Sequence, residues 1–501
     1  MTAPGGASAS RAGSPGLGRW AALLAAGLVV GLVLIAALRL GSPFALEWEE
    51  GATVLSADRL SQGAPLYVAP SLDWAPFPYG PGQPALAAAL RMLGLDGLPG
   101  ARLTSWLGTL VLLLCGAALA GRRAGPTGAA EGSSTNRIAG LLAAGWMASA
   151  YPWTGAWLDV ARPDALALGL ASLALLLIQR SGEGVGAPFA GRLPAALLGA
   201  LLGALAVHTK QTVLLPLAGG MLGLALAARG TALVAGSLLG IGVVAGFAAG
   251  GPWYRFHTLE LLAGHPLHLG GLRSFLSRDL LHLAPLLGAA ALGLRRLEGG
   301  LRDGMLAGWA LGGLCAAVMG RLHPGGFDNV VLPAVVGLAP LAARGVQARR
   351  GLGLLLLGVA VAVGGLGARG LVPPGTDRAA WARVTERLAR IDGEILAPAH
   401  PELLRAVHKP TQLHLMFLLD LSASEAGLEH ARSILQELEG RLEAGRYRAA
   451  VLPRFPDGAD APLHALVQRW LPRAEELARP GELIPVSGAP HAPAVLYLPG
   501  E

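Results

Sequence analysis

Charged residues are scarce in this 501-residue chain. They make up 14% of the sequence, whereas hydrophobic residues make up 53% and the mean hydropathy is +0.52. Soluble globular proteins carry roughly 25% charged residues, so this composition argues against an ordinary soluble enzyme. The high hydrophobicity also excludes intrinsic disorder for the bulk of the chain. What remains is a membrane protein that crosses the bilayer several times.

Cysteine and lysine are nearly absent as well. Cys115 and Cys315 both lie inside apolar runs, so we interpret them as small hydrophobic residues and not as a disulfide or a metal site. Lys210 and Lys409 are the only two lysines. The net charge is +7, and most of the basic residues lie in short loops between apolar runs. The positive-inside rule explains that placement better than nucleic-acid binding does.

The apolar runs predict about eleven membrane-spanning helices. The first run, Trp20–Leu38, is longer than the apolar part of a signal peptide and predicts an uncleaved signal anchor. Residues 1–18 are rich in small residues and are predicted to be a disordered cytoplasmic leader. A shorter run at Gln83–Leu95 predicts an interfacial or re-entrant helix. The other spans are predicted at Ala101–Ala120, Ile138–Trp157, Pro163–Ile178, Leu193–Val207, Thr212–Ala228, Thr231–Gly250, Leu280–Leu294, Gly304–Met319, Asn329–Ala343 and Gly351–Ala368.

Arginines concentrate in alternate loops, which places the N-terminus in the cytoplasm. The same alternation places the first loop, residues 41–100, and everything after Arg369 outside. We therefore expect a transmembrane domain at 19–370 and a polar, extracytoplasmic α/β domain at 371–501. Its predicted helices are Asp377–Ile391 and Ser424–Ala444, and its predicted strands are Glu394–Ala397, Arg448–Leu452 and Ala494–Leu498.

Three carboxylates directly follow the first span, at Glu47, Glu49 and Glu50. Acids clustered near a low-dielectric region have raised pKa values, and such a group can act as a general base or bind a divalent cation. Alternatively, the acids belong to a solvated helix start, where the N-terminal dipole favours them. The sequence leaves both interpretations open.

Charged residues recur at two later membrane edges. Asp159, Arg162 and Asp164 surround the start of one span, and charges at membrane depth are costly unless they are paired or line a water-filled site. They are therefore either a functional site or a structural Asp–Arg pair. Lys210 lies in the short break between two apolar runs, where it could bind a phosphate or simply extend toward lipid headgroups.

The remaining candidates lie in two further outside loops. Tyr79 ends an aromatic and proline-rich segment that could stack a sugar or a lipid headgroup, or form part of an aromatic belt. His323 could contact phosphate or assist proton transfer, although a lone histidine is more often structural. Asp328 and Asn329 cap the next span. Because the loop alternation places all these groups on one side, we expect a single site there, facing a lipidic cavity.

These motifs resemble the GT-C superfamily of membrane glycosyltransferases, especially bacterial relatives of protein O-mannosyltransferases and aminoarabinose transferases. In that family an acidic pair follows the signal anchor, and Glu49-Glu50-Gly51 is similar to it, with Glu49 at the catalytic position. Asp159 or Asp164 fits the second acid. The family's Lys-Pro-Pro motif is missing, and Tyr79-Gly80-Pro81 stands nearby.

The resemblance implies a GT-C-like, all-α polytopic fold in the bacterial cytoplasmic membrane. It implies transfer of a sugar from a polyprenyl-phosphate donor to a hydroxyl of a glycan, lipid or protein acceptor on the outer side. No cofactor is required, although a divalent cation remains an option. The roles implied are catalysis by Glu49, Glu50 and Asp159, donor-phosphate binding by Lys210, Arg162 and His323, and acceptor or sugar contacts by Asp164, Tyr79, Asp328 and Asn329.

Two other functions fit the composition. A transporter or flippase for a lipid-linked glycan would also bury charges, but transporters usually show two similar halves, and the sequence shows none. A structural protein of the cell envelope would carry the same charges only as membrane-edge anchors.

Overall fold

The computed structural model describes residues 15–121, 133–183, 189–297, 300–366, 370–454 and 460–500. Most of the predicted leader lies outside these ranges, as do Ala368 and Arg369. The last four leader residues, 15–18, begin the first helix.

Apolar helices dominate the part of the chain before residue 367. Short 3₁₀ turns at Gln211–Val213 and Asp328–Val331 precede two of them, and π-helical turns at Phe256–Glu260 and Phe275–Asp279 join others end to end. The α-helices are α1 Pro15–Leu40, α2 Glu50–Ser61, α3 Gly82–Met92, α4 Gly97–Ala120, α5 Ser133–Ala150, α6 Pro163–Glu183, α7 Phe189–Val207, α8 Leu214–Ala227, α9 Arg229–Ala249, α10 Gly251–Arg255, α11 Leu261–Ala263, α12 Leu269–Ser274, α13 Leu280–Leu294, α14 Leu301–Leu322, α15 Leu332–Ala348 and α16 Arg350–Leu366.

Seven helices in the described part of the chain are long and apolar enough to cross a membrane, and shorter apolar helices accompany them. Every predicted span coincides with a helix, which confirms the all-α polytopic fold. Small residues let these helices approach closely. On facing surfaces of α8 and α14, a Cβ at Gly219 would come within 2.2 Å of the Gly308 carbonyl oxygen.

One predicted span ends earlier than expected. Helix α5 stops at Ala150 instead of continuing to Trp157. The chain turns here because Pro152 follows the helix, and Gly155 and Ala156 have φ angles of +73° and +53°. The residues from 151 to 162 therefore form a loop that brings Trp157 and Asp159 back across the end of the helical bundle.

The C-terminal region is a mixed α/β unit, as predicted. Its sheet comprises β1 (Glu394–Leu396), β2 (Tyr447–Leu452), β3 (Arg473–Glu476) and β4 (Val495–Leu498). The strand order is β1-β2-β4-β3, with β1 parallel to β2 and the other pairs antiparallel. The sequence did not predict β3, because this edge strand (Arg-Ala-Glu-Glu) is charged and lacks apolar alternation. The helices of this unit are α17 Thr376–Ala389, α18 Pro401–Ala406, α19 Leu415–Ala423, α20 Leu428–Glu443 and α21 Ala461–Trp470.

This C-terminal unit packs directly on the first loop. The rings of Phe77 and Phe417 lie 5.3 Å apart, and Leu413 N donates a hydrogen bond to Leu72 O at 3.0 Å. Trp381 of α17 packs against Phe44 at 6.4 Å. The unit therefore covers the segment Glu47–Glu50 that follows α1, which we call the acidic turn.

Candidate active site

Glu50 is held by a dense set of hydrogen bonds. Both of its carboxylate oxygens accept from Arg102, at 2.8 and 2.7 Å, and each also accepts one backbone N–H, from Ala161 and Leu46 respectively. Burial alone would raise the pKa of Glu50, but Arg102 and these N–H groups hold that pKa below its usual value. Every acceptor position is thus engaged, which suits a group that positions its neighbours.

Arg102 also fixes the backbone before the acidic turn. Its guanidinium donates to the carbonyl oxygens of Ser42 and Phe44, both at 2.7 Å. Arg102 and Glu50 are both fully buried. The pair therefore joins α2, α4 and the segment that leaves α1 into one rigid support.

Glu49 lies on the other side of this turn and forms an ion pair with Arg162. The Arg162 guanidinium carbon lies 5.0, 5.7 and 5.8 Å from the ring centres of Phe77, Tyr79 and Trp157. Both members of the ion pair are buried. Arg162 is therefore a cation enclosed by aromatic rings, with Glu49 as its principal counter-charge.

Glu47 is the third acid of the turn and is fully buried. One of its oxygens accepts the Glu49 N–H at 3.1 Å and lies 3.7 Å from Arg162, whereas Oε1 has no hydrogen-bond partner among the described residues. Burial raises the pKa of Glu47 from about 4.5 to about 8, because Arg162 offsets only part of the desolvation. At pH 7 this carboxyl is therefore mostly protonated.

Lys210, which lies in another loop, contacts the Tyr79 ring that Arg162 also contacts. Its Nζ lies 4.8 Å from the centre of the Tyr79 ring and donates to Asp164 Oδ1 at 2.6 Å. Asn329 Nδ2 donates to that same oxygen at 3.0 Å. Burial lowers the pKa of Lys210, and Asp164 offsets part of this effect. The Tyr79 ring is thus within cation–π distance of two buried cations, each of which has a carboxylate partner.

The contact between these loops depends on glycine. A Cβ at Gly80 would lie 1.8 Å from His208 O, so no side chain fits between the first loop and the Lys210 loop. Lys210 accordingly reaches the Tyr79-Gly80-Pro81 segment, near which the family resemblance places a lysine that this sequence lacks.

Asp159 forms an Asp–Arg pair, but its partner is Arg39 of α1 and not the neighbouring Arg162. Its carboxylate binds Arg39 Nε at 3.1 Å and accepts from the Tyr151 hydroxyl at 2.9 Å. Arg39 Nη1 also donates to that hydroxyl at 2.9 Å. Burial raises the pKa of Asp159, although Arg39 opposes the shift. This closed triad ties the end of α1 to the loop after α5.

His323 and Asp328 belong to neighbouring clusters. The ring of His323 packs on that of His265 at 4.9 Å, and its Nδ1 lies 2.8 Å from Pro324 O. Asp328 pairs with Arg278 and lies 3.5 Å from Arg321. Neither residue is in the group of contacts around Tyr79, although both lie in the same layer of loops.

The C-terminal unit donates hydrogen bonds to the backbone on both sides of Glu47. Met416 N donates to His414 Nδ1 at 3.1 Å, so the other ring nitrogen carries the proton and donates to Trp48 O at 3.0 Å. Ser487 N donates to Leu46 O at 3.0 Å. Burial lowers the pKa of His414 to about 3, so this histidine remains a neutral donor. The two backbone bonds flank Glu47 on both sides.

Two further features of the contact between the C-terminal unit and the acidic turn were not predicted from the sequence. A Cβ at Gly51 would lie 2.3 Å from Glu402 Oε2 and 3.0 Å from Pro401 Cγ, so α18 packs closely on α2 at this glycine. Asp420 is buried, and its Oδ2 has no hydrogen-bond partner among the described residues. Burial raises the pKa of Asp420 to about 7, and the charge of Arg162 opposes this shift. The C-terminal unit thus contributes an ionisable group, Asp420, to the site.

Metal ligands are not grouped in the described residues: no three His, Cys, Asp or Glu side chains are arranged to hold an ion. In the acidic turn, Glu49 and Glu50 are each paired with an arginine instead.

The helical bundle, its acidic first loop and its C-terminal α/β unit together form a GT-C-like polytopic fold. This fold was expected from the resemblance of the Glu49-Glu50 pair. Two solved structures with the same fold are those of ArnT, an aminoarabinose transferase, from Cupriavidus metallidurans.

The structure of that protein bound to undecaprenyl phosphate has a TM-score of 0.62 and 13% sequence identity, covering 95% of this chain and 98% of ArnT. Its apo state has a TM-score of 0.60 and 14% identity, covering 96% and 97%. No protein-family model matches this chain, and neither does any curated protein sequence.

Proposed function

We propose that this protein is a glycosyltransferase that moves a sugar from a polyprenyl-phosphate donor to an acceptor hydroxyl. The observation that carries the proposal is the pair of buried cations, Arg162 and Lys210, which lie 5.7 and 4.8 Å from the centre of the same Tyr79 ring. The shared fold with ArnT, one structure of which contains undecaprenyl phosphate, supports a lipid phosphate as the group that these cations bind.

Donor binding is proposed to exchange one anion for another. Glu49 and Asp164 neutralise Arg162 and Lys210. The donor phosphate competes for these cations, and each close opposite-charge contact contributes about 4 kcal/mol at 4 Å and an effective dielectric of ~20. When phosphate takes over Arg162, Glu49 loses its counter-charge and becomes a stronger base.

Glu49 then removes the proton of the acceptor hydroxyl. The acceptor oxygen forms a bond to the anomeric carbon, and the bond from that carbon to the phosphate oxygen breaks with its electron pair on the phosphate. Arg162 and Lys210 stabilise the leaving polyprenyl phosphate as its charge grows. Asp164 and Asn329 orient Lys210, and the Tyr79 ring packs against both cations.

The other candidates receive supporting roles in this proposal. Glu50 and Asp159, through Arg102 and Arg39, position the loops that carry Glu49 and Arg162. His323 and Asp328 pack in neighbouring clusters of the same loop layer. No step is assigned to a cofactor, and the same assay with a chelator tests the dependence on divalent cations.

We place the site on the outer side of the bacterial cytoplasmic membrane, as the arginine distribution predicts. A reporter enzyme that is active only outside the cytoplasm should be active when it is fused to the C-terminus. A fusion that is made but inactive would place the whole loop layer on the other side.

A transfer assay in proteoliposomes tests the activity. The purified chain is supplied with a panel of labelled polyprenyl-phosphate sugars and with glycan, lipid and peptide acceptors. We expect one donor to lose its sugar with the wild-type protein and with Arg383→Gln, an exposed control, but not with Arg162→Gln. Movement of intact donor across the bilayer without transfer would instead support a flippase.

A further inference from the structure

A second polar site lies at the opposite end of the helical bundle. A cavity of about 540 Å³ opens between the start of α1, the start of α5 and the α15–α16 junction. Arg19 at this cavity and Arg39 at the candidate active site are 20 residues apart on α1. At 1.5 Å per residue this separation is about 30 Å, the thickness of the hydrocarbon core of a bilayer. The cavity therefore lies at the other membrane interface.

The walls of this cavity carry basic side chains. Arg19, Arg296, Arg344 and Arg350 line it, and none of the lining residues in the described ranges is acidic. Arg344 is buried and pairs with Asp303 at 2.5 Å, so its charge is matched within the protein. Arg19, Arg296 and Arg350 are exposed, and Arg350 also interacts within the protein. They give the cavity the charge that attracts a phosphate-bearing group.

The floor of the cavity is apolar. Ile138, Leu142 and Val346 lie beneath the arginines, between α5 and α15. A hydrogen bond from Gln347 Nε2 to Thr135 O, at 2.8 Å, joins these two helices at the cavity edge. A basic rim over an apolar floor matches a molecule with an anionic headgroup and a hydrocarbon tail. A free anion would use the rim alone.

We propose that this cavity, which we call the basic cavity, binds the headgroup of an anionic phospholipid from the leaflet opposite the candidate active site. Arg19, Arg296 and Arg350 bind the phosphate, and the apolar floor receives the first carbons of the lipid. This inference does not depend on the proposed transferase activity, because it uses other residues on the other membrane face.

The test measures lipid retained by the full-length protein. Purified protein in a neutral detergent is incubated with micelles containing either phosphatidylglycerol or phosphatidylcholine, and co-eluting lipid is quantified after gel filtration. We expect the wild type to retain phosphatidylglycerol preferentially. The triple variant Arg19→Gln/Arg296→Gln/Arg350→Gln should lose this preference, with an affinity loss of about fivefold for each arginine.

The matched control removes three other arginines from the same membrane end. Arg229→Gln/Arg295→Gln/Arg349→Gln changes the net charge equally, but none of these side chains lines the basic cavity. This control should retain phosphatidylglycerol like the wild type. Equal losses in the two triple variants would show that general surface charge holds the lipid, and that result would overturn the proposal.

Two further arms complete the test. Excess inorganic phosphate should displace little phosphatidylglycerol, and full displacement would show a free-anion site, which overturns the lipid proposal. Ile138→Trp keeps every arginine but fills the floor, so it should also reduce lipid retention. If the arginine triple variant fails to fold, this variant decides the matter, and wild-type retention by it would contradict the proposal.

Discussion

Replacement of Glu50 by glutamine should damage stability more than chemistry. Glu50 and Arg102 are both fully buried, and Arg102 also binds the carbonyl oxygens of Ser42 and Phe44. Breaking one partner of a buried ion pair costs about 3–5 kcal/mol, because the remaining charge stays buried. We therefore expect Glu50→Gln to destabilise the protein by about that amount.

Glutamine cannot substitute well here for a geometric reason. Each Glu50 oxygen accepts from one backbone N–H and one Arg102 N–H. A glutamine NH₂ at either position would face two donors and leave buried groups without partners, each at a cost of about 1–3 kcal/mol. The expected loss thus follows from the hydrogen bonds as well as from the charge.

The assay compares thermal unfolding in detergent with transfer activity at a temperature where the variant is folded. Glu50→Gln should unfold at a lower temperature but keep measurable transfer, with normal donor affinity. Glu437→Gln is the matched control, since Glu437 pairs with Arg441 at an exposed site, where such pairs contribute about 0–1 kcal/mol. Wild-type unfolding with complete loss of transfer in Glu50→Gln would refute the positioning role and make Glu50 catalytic.

Four further predictions concern Glu47, Lys210 and His414 of the same site. Glu47→Gln should retain most turnover, because the pKa of about 8 keeps Glu47 largely neutral at pH 7. The pKa of Glu47 in the folded protein exceeds the usual 4.5, so the folded state binds a proton that the unfolded state releases. The stability of the wild type should therefore fall as the pH rises from 4.5 to 8. An equal fall in Glu47→Gln would contradict this assignment. Lys210→Ala should weaken donor binding by about 1–3 kcal/mol in a titration, with partial recovery in Lys210→Arg, and unchanged affinity would leave Lys210 structural. His414→Phe removes the donor to Trp48 O and should lower kcat by about fivefold with unchanged donor affinity; a wild-type kcat would show that the C-terminal unit does not position the acidic turn.

Much of the fold could be predicted from the sequence, because apolar run length and arginine placement are local signals. Helix ends were less predictable where a loop folds back, as at Ala150, since Pro152 and Gly155 act only in a tertiary context. The charged strand β3 forms because its neighbour β4 pairs with it, which its own residues do not indicate.

The sequence predicted part of the candidate site's membership but not the pairing of its residues. Counting loops from one membrane face to the other placed Glu49, Arg162, Asp164 and Lys210 on one side, and the structure brings them together around Tyr79. Their partners depend on packing between distant segments: Glu50 meets Arg102, 52 residues away. Arg102 and Arg39 could have been suspected, because a charge inside or beside an apolar span needs a partner.

The contribution of the C-terminal unit had no such signal. His414 and Trp48 are 366 residues apart in sequence. Neither residue belongs to a motif, and only the packed structure shows that they touch.

The central claim is that Glu49 is the base of a glycosyl transfer, and Glu49→Gln tests it most directly. A general base contributes about 10²–10⁴-fold, so single-turnover transfer with bound donor should slow by at least about 10²-fold. Because Glu49 competes with the donor phosphate for Arg162, donor affinity in this variant should equal or exceed that of the wild type. Transfer at the wild-type rate in Glu49→Gln would contradict the account.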